Sequence, residues 1–482
     1  MTPGSLESSA NPDVDPPASP VSRRGAGVWL FPLLVAVISA AGLHLVVRTM
    51  RIVSPEVLRE GYRVQDWTSN WLMQSMGLEE MMAYGPRSLW QDHIYPPLLD
   101  SIRYVLTFPE TSAGLPFSAV AVDFRLYVLY AVCFGIVNAL LFIWVRSLTR
   151  STWWALGATV VWALMPGYIM TMTLLDPSPL AMLFITMSLF FLYFFLKTRS
   201  AGYSSAFFAA LLLASLSRSV TQPHVLIIVF IAVVVFWRLS KGRNPVFLIV
   251  NIVLAGLMLV MPLKQYVMYA TFDTTSFAGY HRAGMLWIDP RTVPEPAYPQ
   301  HMVDNALLFS TRYNTQETIK DNYRLSAAAN DFIITHPLEA AQRLGRSLTV
   351  TVPELMRPSS MYTQNYLVER IPWRAPMDWL FSSWRYLLLI IGSATIVYLS
   401  RGSSGTKQLL RRYGWFAVFY VLIAAPILFS NRYFPGQEDN GPIWTDAIRQ
   451  KVFLEVPVFV MLAYALWLVA SKQGRALGRW RR

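Results

Sequence analysis

Charged side chains lie at the ends of long apolar blocks in this sequence, where they can take part in chemistry at a membrane surface. Two are the carboxylates of Asp66 and Asp176, and three are the cations of Arg218, Lys264 and Arg385. A carboxylate can remove a proton from an attacking nucleophile. A cation can stabilise a departing phosphate. Because charges at a membrane boundary are costly, each of these side chains is a candidate for function.

Each of these residues also has a purely structural interpretation. Asp66 could be a solvated loop residue or a helix cap, and Asp176 could cap the helix that follows it. Arg218 and Lys264 could extend to the membrane interface while their aliphatic parts stay in lipid. Arg385 could simply anchor the start of a helix. Residue type and position alone leave both interpretations open.

The histidines and acids lack the spacing of a metal site. His93, His281 and the Glu79-Glu80 pair could donate ligands, but their separations match no metal motif. The one cysteine, Cys133, lies inside an apolar run, which excludes an intramolecular disulfide and a cysteine metal cluster. We therefore expect no required cofactor, and the sequence leaves open whether a divalent cation takes part.

The elements that must position these residues are membrane helices. Hydrophobic residues make up 54% of the 482 residues and charged residues only 14%, against about 25% charged in soluble domains. The apolar residues form blocks close to the roughly 20 residues that a helix needs to span a bilayer. We therefore expect an all-α polytopic membrane protein with about ten transmembrane helices. The predicted spans are 27–47, 124–146, 152–171, 178–197, 203–217, 222–238, 245–265, 383–400, 413–430 and 451–471.

The distribution of charge predicts the orientation of these helices. Basic residues concentrate in the termini and in alternate short connections, whereas the acids, apart from those of the N-terminal tail, fall in the other connections. Short basic connections face the cytoplasm. We therefore expect a multi-pass protein of the inner (plasma) membrane with both termini cytoplasmic. The net charge of +13 then reflects topology, and no nucleic acid partner is expected.

This topology divides the chain into five parts. The first block is long and lacks a convincing cleavage site, so we expect a retained helix rather than a signal peptide. The two long connections, 48–123 and 266–382, fall on the extracytoplasmic side and carry amphipathic stretches suited to the interface. The parts are a disordered tail (1–26), seven helices with the first large loop (27–265), the second large loop (266–382), three helices (383–471) and a basic tail (472–482).

Two motifs in the first large loop resemble those of a known family. Asp66 follows the first helix by about twenty residues, and the segment Tyr95–Leu98, with two prolines at its centre, follows about thirty residues later. An acid and a His-Pro-Pro-Leu-like motif in these places are typical of the C-fold (GT-C fold) superfamily of integral-membrane glycosyltransferases, in its protein-mannosyltransferase and lipid A aminoarabinose-transferase branch. Two positions depart from that pattern. Trp67 replaces the usual second acid and Tyr95 the usual histidine, with His93 two residues earlier.

Further motifs follow in the order of that family, and the resemblance covers most of the chain from about residue 27 to 470. They lie in the short loop after the third predicted helix, at the outer ends of the fifth and seventh, before the last helix group and in the final outer loop. The residues that carry them are Asp176, Arg218, Lys264-Gln265, His336 to Arg346, and Asn431-Arg432-Tyr433.

The resemblance implies a transferase with an extracytoplasmic active site. Its members move a sugar from a polyprenyl-phosphate donor to a cell-envelope glycan, lipid or protein, and inversion would require one carboxylate base. By this resemblance Asp66 is the general base and Asp176 shares its pocket. The donor phosphate would be bound by Arg218, Lys264 and Arg385, and the donor and acceptor pocket would include His93, Tyr95 and Arg432.

Two other functions stay open. A lipid or sugar transporter or flippase would place ionisable residues or Gly/Pro breaks near mid-membrane, whereas the candidate charges here lie at block ends and no internal repeat is apparent. A polysaccharide polymerase or ligase would depend on arginines of a large outer loop. Asp66 followed by the Pro-Pro-Leu segment favours glycosyl transfer over both.

Overall fold

The computed structural model describes residues 27–49, 76–93, 96–108, 112, 118–173, 176–218, 223–306, 315–355, 371–381, 383–428 and 451–480. Throughout these ranges the regular structure is helical and no strand occurs. The all-α prediction is therefore confirmed for this part of the chain. Large apolar runs of the sequence become helices because a helix satisfies every backbone hydrogen bond within its own segment.

The helices fall into three groups along the chain. The first comprises α1 (Gly27–Thr49), α2 (Leu78–Tyr84), α3 (Pro86–Gln91), α4 (Leu98–Leu106), α5 (Ala119–Thr149), α6 (Thr152–Ala163), α7 (Pro166–Thr173), α8 (Ser178–Thr198), α9 (Ala201–Ser217), α10 (Pro223–Leu239), α11 (Pro245–Leu257) and α12 (Val260–Tyr269). The second comprises α13 (Ala278–Met285), α14 (Gln300–Ala306), α15 (Gln316–Thr335) and α16 (Pro337–Leu355). The third comprises α17 (Arg374–Leu380), α18 (Ser383–Leu428) and α19 (Val452–Trp480).

Five segments of the described chain are long and apolar enough to cross a membrane, which indicates a membrane protein. They are Leu30–Thr49, Ala121–Thr149, Ser178–Thr198, Pro245–Tyr269 and Val452–Ser471. Two bent helix pairs raise the number to as many as seven if each pair is one span. The predicted spans 203–217 and 222–238 correspond to shorter apolar helices, Ala201–Ser217 and Val225–Leu239. The total of about ten therefore stays a prediction.

The two bends have local causes in the sequence. The chain bends by 64° between α6 and α7, where Pro166 begins α7 and cannot donate a backbone hydrogen bond. It bends by 118° within α18, where Gly402 has φ 70°, a backbone conformation that costs glycine little. The predicted span 152–171 therefore contains a bend, whereas the bend at Gly402 falls between the predicted spans 383–400 and 413–430.

The bundle is organised around α8. In the apolar stretch of α8, 78% of the residues are buried, against 22% in that of α1. Helix α8 packs against α5, α9, α18 and α19. At the periphery α1 lies very close to α5, because a Cβ added at Gly135 would fall 2.4 Å from the carbonyl oxygen of Ala36. Small residues allow such backbone approach between membrane helices. This contact fixes α1 onto the bundle.

Residues 271–306 and 315–355 form a separate helical layer that we call the loop domain. Its centre is the packing of α13 on α15. The backbone N–H of Gly279 donates to Asn322 Oδ1 at 2.6 Å, and a Cβ at Gly279 would lie 2.4 Å from the Asn322 carbonyl. Arg343 on α16 donates to the Leu286 carbonyl at 2.8 Å, which ties the last helix of the domain to the first.

The connections of the bundle gather at two ends. At the end where α8 begins, Arg218 donates to Ser178, and at the end where α8 finishes, Lys197 donates to the Ser147 carbonyl. We call the first the loop end, because the loop domain continues from α12 there, and the second the basic end. Residues predicted to share a membrane side thus share an end of the bundle.

Candidate functional site

The described chain includes part of the predicted site. Asp66, Tyr95 and Arg432 lie outside the described residues. Asp176, Arg218, Lys264, His93 and Arg385 lie within them, and the structure distributes these residues over separate groups of contacts at the loop end.

Asp176 and Arg218 are brought together by Ser178. Asp176 Oδ1 accepts from the Ser178 backbone N–H at 2.7 Å and Oδ2 accepts from Ser178 Oγ at 3.0 Å. Arg218 Nη1 donates to the same Oγ at 2.7 Å. The hydroxyl therefore links carboxylate and guanidinium in a short chain of charge-assisted hydrogen bonds. Asp176 is both a cap-like acceptor at the start of α8 and a partner, through Ser178, of the candidate phosphate ligand.

Arg218 is held in this position by three helices. It follows the last residue of α9 with extended backbone, and its N–H donates to the Ala214 carbonyl. Its guanidinium lies 5.7 Å from the centre of the Phe453 ring on α19. Only 4% of Arg218 is exposed. Arg218 is therefore a buried cation of the bundle and not a side chain that lies along lipid to reach the interface.

A second acid–cation pair lies beside this group. Arg103 Nη1 is 2.5 Å from Asp100 Oδ1, and the two side chains are 0% and 2% exposed. The hydroxyl of Tyr130 donates to the Asp176 carbonyl at 2.6 Å, and charges of both Asp100 and Arg103 act on this tyrosine. We call Asp100, Arg103, Tyr130, Asp176, Ser178 and Arg218 the Asp176 cluster.

The Asp100–Arg103 pair also binds both backbone polar groups of Met76. The backbone N–H of Met76 donates to Asp100 Oδ2 at 3.3 Å, and Arg103 Nη1 donates to the Met76 carbonyl at 2.7 Å. Met76 is the first described residue after 50–75. The first described residue after this range therefore contacts the Asp176 cluster.

Lys264 holds a different part of the first large loop. Its Nζ donates to the Asp92 carbonyl and lies 5.9 Å from the centre of the Trp90 ring. Gln265 Nε2 donates to the His93 carbonyl at 3.0 Å, and the Tyr269 hydroxyl donates to the Gln91 carbonyl at 2.7 Å. Consecutive carbonyls of the loop are thus bound by side chains of α12. Lys264, only 4% exposed, positions backbone in this structure.

His93 completes the contact between the two predicted loops. Its Nδ1 lies 2.6 Å from Ser276 Oγ, and the Ser276 backbone N–H donates to the His93 carbonyl at 2.8 Å. Burial, and then the charge of Lys264, lower the pKa of His93 from 6.5 to about 3. His93 is therefore neutral at neutral pH and contributes no positive charge. We call Gln91, Asp92, His93, Lys264, Gln265, Tyr269 and Ser276 the Lys264 cluster.

Arg385 lies at the beginning of α18 and contacts the helix before it. Its Nη1 donates to the Trp379 carbonyl at 3.3 Å, and its guanidinium lies 4.2 Å from the centre of the Trp379 ring. These contacts support its interpretation as the anchor of a helix start. Among the described residues, no group of three or more His, Cys, Asp or Glu could hold a metal ion.

The sequence interpretation missed several members of these clusters. Asp100 and Arg103 could have been found, because an acid and a cation three residues apart on a helix face each other. Ser178 and Tyr130 have no comparable signal. Their importance depends on which residues the fold brings opposite to them, and the acceptors in the Lys264 cluster are backbone carbonyls that any residue type supplies.

Comparison with known proteins identifies no relative of this chain. No family model matches the chain, and comparisons with curated proteins and with solved structures find no match. The likeness to glycosyltransferases therefore stays a resemblance of motifs. The function has to be inferred from the chain's own charges and contacts.

Proposed function

We propose that this chain is a glycosyltransferase of the inner (plasma) membrane that uses a polyprenyl-phosphate sugar donor. The observation that carries the proposal is the Asp176 cluster, in which buried carboxylates and guanidiniums converge at one end of membrane-spanning helices. The phosphate of a lipid-linked donor would meet the protein near the ends of these helices, at the membrane surface. The acceptor is an extracytoplasmic glycan, lipid or protein, and the loop end faces that side.

The chemistry assigns one role to each charged group. Asp66 takes the proton of the acceptor nucleophile, which attacks the anomeric carbon on the face opposite the phosphate, so the configuration inverts. The bond from that carbon to the phosphate oxygen breaks, and the lipid phosphate leaves with its electron pair. Arg218 stabilises this anion. Asp176 acts through Ser178 to position the Arg218 guanidinium rather than as a second base.

We assign other roles to the remaining candidates, and their contacts support this assignment. Lys264 and His93 position the first loop. Lys264 binds the Asp92 carbonyl, and the neutral His93 contacts Ser276. Arg385 anchors α18. Tyr95 and Arg432 keep their proposed place in the donor and acceptor pocket, where a divalent cation stays optional.

A transporter or flippase is the second candidate, because broken helices occur in such proteins and two bent pairs occur here. In vesicles, a transporter would move a fluorescent polyprenyl-phosphate sugar between leaflets without cleaving it. A transferase would release polyprenyl phosphate only when an acceptor is present. Mass spectrometry of the lipid fraction separates the two outcomes.

The first test of the transferase replaces the proposed base. Asp66→Asn should lower the rate of polyprenyl phosphate release by about a hundred- to ten-thousand-fold, because the amide keeps the shape but accepts no proton. Purified protein in lipid would be assayed with a panel of hexose and pentose donors. Asp331→Asn, which removes an exposed acid of the loop domain, should leave the rate unchanged. More than about half of the wild-type rate in Asp66→Asn would assign the base to another residue.

A second test addresses the leaving group. Arg218→Ala should weaken donor use, and Arg218→Lys should restore part of it, because arginine binds two phosphate oxygens whereas lysine offers one compact charge. Arg291→Ala removes an exposed arginine of the loop domain and serves as the control. Donor titrations that are identical for Arg218→Ala and wild type would remove Arg218 from the mechanism.

A further inference from the structure

Cationic side chains from three connections meet at the basic end of the bundle. Lys197 Nζ donates to the Ser147 carbonyl at 3.1 Å, and Arg412 Nη2 donates to the Lys197 carbonyl at 2.9 Å. The charges of Arg150 and Arg412 both act on Lys197, and that of Arg412 also acts on Arg199. We call Arg150, Lys197, Arg199 and Arg412 the basic cluster.

Among the described residues, the cluster has no acidic counterpart nearby. The connections 146–152, 197–203 and 401–413 contain neither Asp nor Glu. Within the described part of the chain, no carboxylate is among the groups that act on Lys197 or Arg199. Among the described residues, the buried atom Arg199 Nη1 has no hydrogen-bond acceptor. Like charges this close repel, so a bound anion would stabilise the cluster.

Backbone geometry shows that two of these arginines occupy positions suited to glycine. Arg150 follows α5 with φ 56° and Arg199 follows α8 with φ 59°. Glycine or asparagine is the usual residue in this left-handed conformation at a helix end. A cation there complements the helix dipole, and basic loops fix topology. Those effects account for basic residues at this end of the bundle, but not for the hydrogen bond that Arg412 donates to the Lys197 carbonyl.

We propose that the basic cluster binds the phosphate group of an anionic phospholipid. Guanidinium groups bind phosphate oxygens in pairs, and hydrogen bonds to carbonyls already fix Lys197 and Arg412. Aromatic rings lie beside the cations. Lys197 Nζ is 5.6 Å from the centre of the Tyr193 ring, which stacks on Tyr413 at 5.6 Å. These rings provide an apolar surface next to the phosphate site.

Position favours a lipid over a dissolved phosphate ion. The cluster lies at the ends of α5 and α8, and both helices contain candidate membrane spans. Phospholipid head groups lie at this height, and basic pockets between membrane helices bind them. The inference is independent of the proposed transferase activity, because the basic end is opposite the Asp176 cluster along α8.

The test uses the full chain in nanodiscs of phosphatidylcholine with a minor fraction of phosphatidylglycerol. Native mass spectrometry would count retained phosphatidylglycerol for the wild type and for the double variant Arg199→Asn/Arg412→Gln. Asparagine suits the left-handed backbone at residue 199, so the variant should fold. Retention should fall by roughly 25-fold, since each of the two cations at a lipid surface contributes roughly a factor of five.

A matched control removes one charge from the same end of the bundle. Arg238→Gln changes an exposed arginine in the last turn of α10 and should lower retention by no more than about fivefold, the contribution of one surface charge. Equal retention in the double variant, or an equal loss in Arg238→Gln, would overturn the proposal. So would displacement of the lipid by millimolar inorganic phosphate, which would identify a site for free anions. Elution volume and melting temperature in pure phosphatidylcholine would verify that all variants are folded.

Discussion

Replacement of Arg103 by methionine should destabilise the protein strongly. Arg103 and Asp100 are 2.5 Å apart and at most 2% exposed, so the substitution leaves a carboxylate buried without this cation. Breaking a buried ion pair from one side costs about 3–5 kcal/mol. That cost lowers the ratio of folded to unfolded protein by roughly two to four powers of ten.

The double variant Asp100→Leu/Arg103→Met should recover most of this loss. Well-packed apolar residues often replace a buried pair at little cost, since both charges and their desolvation are removed together. Recovery should be incomplete, because both backbone groups of Met76 lose their partners. Each lost hydrogen bond contributes about 0.5–1.5 kcal/mol. We also expect faster amide hydrogen exchange at Met76 in the double variant.

Thermal unfolding of the purified protein in one detergent measures these differences. Arg291→Met is the matched control, because its partner Asp289 is 2.8 Å away but Arg291 is 81% exposed. Exposed pairs contribute little, so the control should melt with the wild type. The reasoning is refuted if Arg103→Met also melts with the wild type, or if the double variant is no more stable than Arg103→Met.

Two further substitutions test packing and ionisation. Gly279→Ala should destabilise the loop domain by about 1–3 kcal/mol, because its Cβ would lie 2.4 Å from the Asn322 carbonyl, whereas Gly345→Ala meets no atom within 4 Å and should melt no lower than wild type. His93 has its pKa lowered to about 3, so its contribution to stability is complete above pH 6.5 and declines toward pH 3, by up to about 1.4 kcal/mol per pH unit. Between pH 7.5 and 5.5 the melting temperature should therefore fall less steeply for His93→Asn than for the wild type. Identical dependence of the melting temperature on pH would show that His93 is not buried as described.

Apolar block length predicted helix type and approximate position well, but not the course of each helix. The block 152–171 was interpreted as one span, yet it contains Pro166, and the chain bends by 64° there. A proline inside an apolar block is a signal for such a break. The bend in α18 lies at Gly402, which has φ 70°. This residue falls between the predicted spans 383–400 and 413–430, where the short basic connection predicts an interruption.

Charge type and position select the candidate residues at the loop end, but not their partners. Asp176 and Arg218 were chosen from position, and the structure joins them through Ser178. Nothing in the sequence distinguishes that serine from others, because its role requires two helices to meet. Lys264 shows the opposite limit. Its position suggested a phosphate ligand, whereas its observed acceptor is the Asp92 carbonyl, an atom without a sequence signature.

The two ends of the bundle use positive charge in different ways, and this difference separates their proposed ligands. At the loop end cations have internal partners: Arg103 pairs with Asp100, and Arg218 reaches Asp176 through Ser178. A donor phosphate would compete with these carboxylates, so its binding would be reversible, as turnover requires. At the basic end the described cations lack such competitors. An anion bound there meets no carboxylate that would displace it, which suits a resident lipid and not a substrate.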